Sequence, residues 1–210
     1  MKKISLFIAL SLFAGISAQT QFGVKAGYIN SNLNWQSSPS NFWEDYSDFS
    51  SQSFFYAGGF ALQPVTEKFS VQGELIYTQL GGTIKVNLHQ LVGSEIIDIG
   101  TANIKYSYQQ LQVPIAAKYH IIKNFGVLGG FNFAFNINSK VSSDFSSFPN
   151  SGKVENKKTL DIFPFVGTEF DFNKNIFAEA RYNFGISNMH ENGIDVRANF
   201  FQIGLGYRFK

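Results

Sequence analysis

The stretch FFQIGLGYRFK, residues 200–210, decides the fold. Phe201, Ile203, Leu205, Tyr207 and Phe209 alternate with Gln202, Gly204, Gly206, Arg208 and Lys210. Strict period-two alternation of bulky apolar and small or polar residues marks a β-strand with two unlike faces. Chain ends are the usual place for order to fade, so a strong strand signal here predicts that this segment pairs with another strand.

Working back from the C-terminus, the same alternation predicts seven more strands. They cover 21–33, 54–63, 69–81, 104–120, 125–138, 159–172 and 176–187. In 54–63 the apolar face reads as Tyr56, Gly58, Phe60 and Leu62. The connections alternate in length. Residues 64–68, 121–124 and 173–175 read as tight turns, while 34–53, 82–103, 139–158 and 188–198 read as long polar loops. Short turns at one end and long loops at the other are the pattern of an up-and-down transmembrane barrel, with turns in the periplasm and loops outside. The prediction is an all-β protein: an eight-stranded antiparallel up-and-down β-barrel. Pro114 and Pro164 fall inside predicted strands, where a missing N–H breaks the ladder, so bulges are expected there. The Gly58-Gly59 and Gly129-Gly130 pairs read as close-packing sites.

The start, MKKISLFIALSLFAGISAQ, has a basic end, an apolar run and small residues at Ser17-Ala18. It reads as a secretory leader cleaved after Ala18, leaving 19–210 as one barrel domain. The chain has no cysteine, which excludes disulfides, thiolate metal sites and a lipidated N-terminal Cys. Two of its 17 Lys and Arg lie in the leader, so 15 basic residues meet 15 acidic ones afterwards. This balance argues against nucleic acid as a partner.

Alternation does not say which face meets water. A lipocalin-like soluble periplasmic barrel would turn its apolar face inward around a ligand. Three features favour the reverse. An eight-stranded interior could not hold roughly 35 bulky side chains. Gly126, Gly130, Gly167, Gly185, Gly204 and Gly206 share the polar face, where a crowded lumen needs small residues. Lys25, Glu74, Lys118, Glu169, Glu179, Arg181 and Arg208 also fall in that phase. A Lys or Arg facing mid-bilayer lipid costs about 2–4 kcal/mol, so these charges belong in the lumen, paired across strands. A tight turn at 173–175 sets Glu169 opposite Glu179, with Arg181 and Arg208 expected between them. Tyr28, Phe69, Tyr119, Phe125, Phe172 and Phe209 suit the aromatic girdles at the membrane interfaces.

Five segments carry a family resemblance: GVKAGYINSNL (23–33), VQGELIYTQLGG (71–82), LQVPIAAKY (111–119), AEARYNFGISN (178–188) and FFQIGLGYRF (200–209). In their order and spacing the chain resembles the small outer-membrane β-barrel proteins of Bacteroidetes, the PorT-like group. The resemblance implies an OmpA-like or OmpX-like barrel, surrounded by outer-membrane lipid and inserted by the β-barrel assembly machinery. No cofactor is expected.

The charged cluster reads as a structural plug, because eight strands leave no aqueous channel. His89, His120 and His190 lie on different elements and show no metal-ligand spacing. Ser187, His190 and Glu191 carry the only enzyme hypothesis, a lipid A-modifying hydrolase. Trp35, Phe42, Trp43, Tyr46 and Phe49, in the polar loop 35–55, are the candidates for external contact, since aromatics anchor interfaces. The expected role is structural, or interaction through the loops, without catalysis.

Overall fold

A computed structural model describes residues 20–36, 47–92, 95–144, 152–154, 157–191 and 195–209. The proposed leader lies outside them, as do Phe42, Trp43 and Tyr46. Eight strands run β1 Gln21–Gln36, β2 Ser47–Pro64, β3 Phe69–Val92, β4 Glu95–Ile122, β5 Phe125–Ser143, β6 Leu160–Asp171, β7 Ile176–Asn183 and β8 Asp195–Arg208. Each pairs antiparallel with its chain neighbours, and β8 returns to β1, closing the barrel. The closing seam runs from Gly23↔Arg208 to Gln36↔Asp195. The C-terminal segment therefore pairs on both sides. Closure leaves no strand edge in the barrel wall, which a hydrocarbon environment requires.

The two faces of the wall separate as their chemistry demands. Val24, Leu75, Ile115, Phe131, Val166, Ile203 and Leu205 are exposed on the outside. Inside, Lys25, Glu74, Gln72, Gln112, Lys118, Asn132, Glu169, Glu179, Arg181 and Arg208 are buried. A spanning strand needs about 9–11 residues, so β4, with 28, extends far beyond the membrane.

Strand β2 departs from the expected phase. Tyr56, Phe60 and Leu62 point into the lumen and are 3–5% exposed, while Phe55 points out. The lumen is apolar in part, which frees β2 to turn its large residues inward. Glycine on the facing strands makes the room. A Cβ on Gly23 would run into the Phe60 ring, one on Gly27 or Gly204 into Tyr56, and one on Gly206 into Phe177. Within the expected close-packing pairs, Gly58 and Gly130 abut the backbone of Leu75 and Ile115. Gly59 and Gly129 have only ordinary contacts.

Two expected loops, 82–103 and 34–53, are strand wherever they are described. Residues 82–92 and 95–103 form a hairpin continuous with β3 and β4. Trp35 lies in β1, paired with Val196, and Phe49 lies in β2, paired with Ile84. Beyond the membrane both sheet faces are wet, so a polar sequence no longer signals a loop. In the other direction, β7 ends at Asn183, short of the expected 187.

The proline bulges do not form. At Pro114 the β3–β4 ladder has a gap at Glu74 and Leu75, but the register is the same on both sides. Pro164 pairs with Phe131 on β5, and the β6–β7 ladder begins only at Phe165. Each proline thus sits at an interruption of one ladder without an inserted residue. The β4–β5 register shifts lie instead between Gln109 and Gln110 and between His120 and Ile122.

Candidate functional site: the lumen

The lumen is built in tiers. Near the short turns, Lys25, Glu74, Glu179 and Arg181 form a closed four-membered ring. Lys25 Nζ lies 2.7 Å from Glu74 and 2.9 Å from Glu179. Arg181 donates to Glu179 at 2.6 Å and also to Glu74. Each acid meets both bases, and strands β1, β3 and β7 are tied across the barrel axis. Gln72 donates a further hydrogen bond to Glu74 at 2.6 Å.

A second group adjoins it. Lys118 contacts Glu169 at 2.6 Å, and Arg208 bridges Glu169 and Asp171, the latter at 2.6 Å. Glu169 and Glu179 are register partners, as the sequence reading places them. The arginines do not lie between them, however: Arg181 serves the ring and Arg208 the second group. Asp171, inside the predicted strand 159–172 but outside the predicted charge cluster, continues the inward phase of Glu169 two residues on. With it, four acids meet four bases, and the charge of these two groups cancels. The arginines also stack on rings, Arg208 over Phe177 at 4.4 Å and Arg181 over Phe165 at 4.7 Å.

His120, Glu169 and Asp171 bring their ligand atoms within 4.8 Å of one another, the one such grouping among the described residues. The three histidines did not predict it, because two of its members are acids on β6. Its acids are already engaged: Glu169 by Lys118 and Arg208, Asp171 by Arg208. A divalent cation there would have to displace an arginine and then sit beside a lysine. The donor set does not fit one. It borders a mouth of about 650 Å³ between the short turns, lined also by Lys123, Lys174 and Glu67.

Toward the long-loop end, Ile29, Leu33, Ile76, Leu80, Phe163, Phe200 and Met189 form an apolar cluster. A chain of amides runs along its side. Asn132 donates to Gln112 at 2.8 Å, Gln112 to Gln110 at 2.9 Å, Gln110 to Asn136 at 3.0 Å, and Asn136 to Asp161 at 2.7 Å. Above this, residues 152–154, 157–158 and 184–191 fold over the mouth. Lys157 bridges to His190, Lys158 N–H donates to Met189 C=O at 2.8 Å, and Val154 packs on the apolar cluster.

The triad Ser187, His190 and Glu191 is not assembled. Ser187 Oγ donates to the C=O of Ile162 at 2.9 Å and accepts from its N–H at 3.0 Å, which clamps the chain to β6. His190 Nε2 instead meets the Tyr108 hydroxyl at 2.9 Å. Burial holds the His190 pKa below its ordinary value.

A closed eight-stranded wall, apolar outside and charge-paired within, defines the class: a small membrane β-barrel. The family model described as outer membrane protein beta-barrel domain matches residues 17–191, and the chain belongs to that family. Its fold is similar to Ail, the attachment invasion locus protein of Yersinia pestis, at 15% identity and a TM-score of 0.52. That alignment covers 91% of this chain and 99% of Ail. Neisserial surface protein A is similar at 12% identity and a TM-score of 0.50, with 91% of this chain and 99% of that one covered. No curated protein matches the sequence.

Proposed function

We infer that this outer-membrane protein is a closed, non-enzymatic scaffold that displays a β-ribbon at the cell surface. The observation that carries this reading is the length of the β3–β4 hairpin. Among the described residues β2 pairs with β3 no further than Ser47↔Val86, and β5 pairs with β4 no further than Ile104↔Ser143, followed by the hydrogen bonds of Asp144 to Asn103. Beyond those points, 87–92 and 95–102 pair only with each other among the described residues. Gly100, with φ +116°, sits at a register shift between Leu88 and His89, which twists the ribbon. Free strand edges present rows of N–H and C=O groups that an extended partner segment can pair with.

The neutral ion-pair ring supports the closed-lumen half of the reading, and the engaged Ser187 leaves the hydrolase alternative without a nucleophile–base pair. Export through a leader cleaved after Ala18, insertion by the β-barrel assembly machinery, and periplasmic short turns complete the proposal. Kinship with the PorT-like barrels of Bacteroidetes rests on the sequence motifs.

A photoreactive residue at exposed Thr101, in intact cells, tests the ribbon. Protein adducts should form there and not at lipid-facing Ile203. They should fall when Asn87→Pro disrupts the ribbon's backbone pairing. Equal adducts at both positions, or adducts indifferent to the proline, would contradict the reading.

A further inference from the structure

The lipid-facing wall is not uniformly bulky. On β4, β5 and β6 it steps down to Ala117, Gly129 and Thr168, which floor a groove of about 490 Å³. Phe69, Tyr119 and Val166 stand at its sides. Register explains the shape: Ala117 pairs with Gly129, Gly129 with Val166, and Phe69 with Tyr119. Small residues thus lie side by side on adjacent strands, with aromatic rings at the short-turn end. The groove lining is almost wholly apolar and continues the surface that meets hydrocarbon.

The same end carries positive charge. Lys68 immediately precedes Phe69, and its C=O accepts the His120 N–H at 2.8 Å, which ties this turn to the end of β4. Lys123 occupies the β4–β5 turn. Both lysines are exposed, and neither forms an ion pair among the described residues. Glu67 is the one acid in these two turns, so the pair of turns carries net positive charge.

We propose that this groove seats an acyl chain of one anionic phospholipid of the periplasmic leaflet, with Lys68 and Lys123 facing its phosphate. An apolar channel whose short-turn end leads to two turns that each carry an unpaired lysine, Lys123 also bordering the lumen mouth, complements a molecule with an acyl tail and an anionic head. A chain lying in the groove touches protein on its floor and sides, whereas one on the flat wall touches it on one side only. Basic residues at a membrane surface attract anionic headgroups additively. The inference rests on placing the short turns at the periplasmic leaflet, as proposed above. Protease accessibility of intact cells tests that placement separately.

Native mass spectrometry of the detergent-purified full chain tests the site itself. The probes are phosphatidylglycerol and phosphatidylcholine with identical acyl chains. The wild type should retain phosphatidylglycerol more tightly. Lys68→Gln and Lys123→Gln should each weaken that retention about fivefold and leave phosphatidylcholine unchanged. Gly129→Leu should weaken both lipids by filling the groove. A Cβ at Gly129 meets only the Phe165 carbonyl, at an ordinary 3.6 Å, so this variant is expected to fold. Equal retention of the two lipids by the wild type, or lysine variants indistinguishable from it, would overturn the headgroup assignment. Unchanged retention by Gly129→Leu would overturn the groove.

Discussion

Glu169 and Glu179 face each other as register partners on β6 and β7, yet neither meets the other's charge unscreened. Like charges directly opposite destabilise a sheet. Here Lys118 and Arg208 hold Glu169, while Lys25 and Arg181 hold Glu179. The barrel keeps two acids side by side because the lumen supplies each with two cations. Losing one cation should therefore be felt across the whole ring.

Arg181→Ala should destabilise the barrel by about 3–5 kcal/mol, because it leaves two buried carboxylates sharing one cation, Lys25. Lys25→Met combined with Glu179→Gln should cost less than the sum of the two single changes, by about 0.5–3 kcal/mol. That pair of changes keeps the remaining Arg181–Glu74 contact neutral. Urea unfolding in detergent, followed by the gel shift between folded and unfolded barrel, checks both. Additive costs would mean that the four groups do not act as a ring.

Gly206→Val should destabilise strongly, since its Cβ would occupy the space of the Phe177 ring. Overpacking of this kind costs about 1–3 kcal/mol. Gly129→Ala, on the outer wall, should be nearly silent. Comparing their unfolding midpoints checks that the inward glycines make room for rings.

Ser187→Ala should lower stability by about 1 kcal/mol, because it strands the half-buried N–H and C=O of Ile162. Lipid A incubated with wild type and variant should stay acylated in both cases. Deacylation lost in the variant would revive the hydrolase hypothesis.

The mouth covering should loosen in acid. His190 is held below its ordinary pKa by burial, so the folded state favours the neutral ring. Its contribution is intact above the unfolded value of about 6.5. It is lost as pH falls through that value toward the lowered folded one. Hydrogen exchange at Lys158, whose N–H donates to Met189 C=O, should quicken over that range. In His190→Gln the pH step should vanish.

The sequence made the barrel legible where lipid enforces the pattern. In 201–209 the outside faces hydrocarbon and the inside is polar or glycine, so alternation is unbroken; in 125–138 it breaks at Leu128, which turns inward, and Gly129, which lies outside. It misled at β2 because Tyr56, Phe60 and Leu62 enter an apolar stretch of lumen, leaving Ala57, Gly59 and Ala61 outside. The inward glycines at 23 and 27 on β1 were the available clue. The hairpin was missed although Thr83, Lys85 and Asn87 alternate with Ile84, Val86 and Leu88. Polarity was weighed there above periodicity. All seven charges placed in the lumen by phase are buried there. Asp171 escaped notice because it sits at a strand end, and the grouping with His120 could not be read without strand register.

Planar-bilayer recording of the purified, refolded protein tests most directly whether the ion-pair ring and apolar cluster close the lumen. A filled barrel should show no steady conductance at any holding potential below membrane breakdown. Stable, porin-sized current steps from the folded, heat-modifiable protein would mean that an open aqueous path runs where Lys25, Glu74, Glu179 and Arg181 are placed.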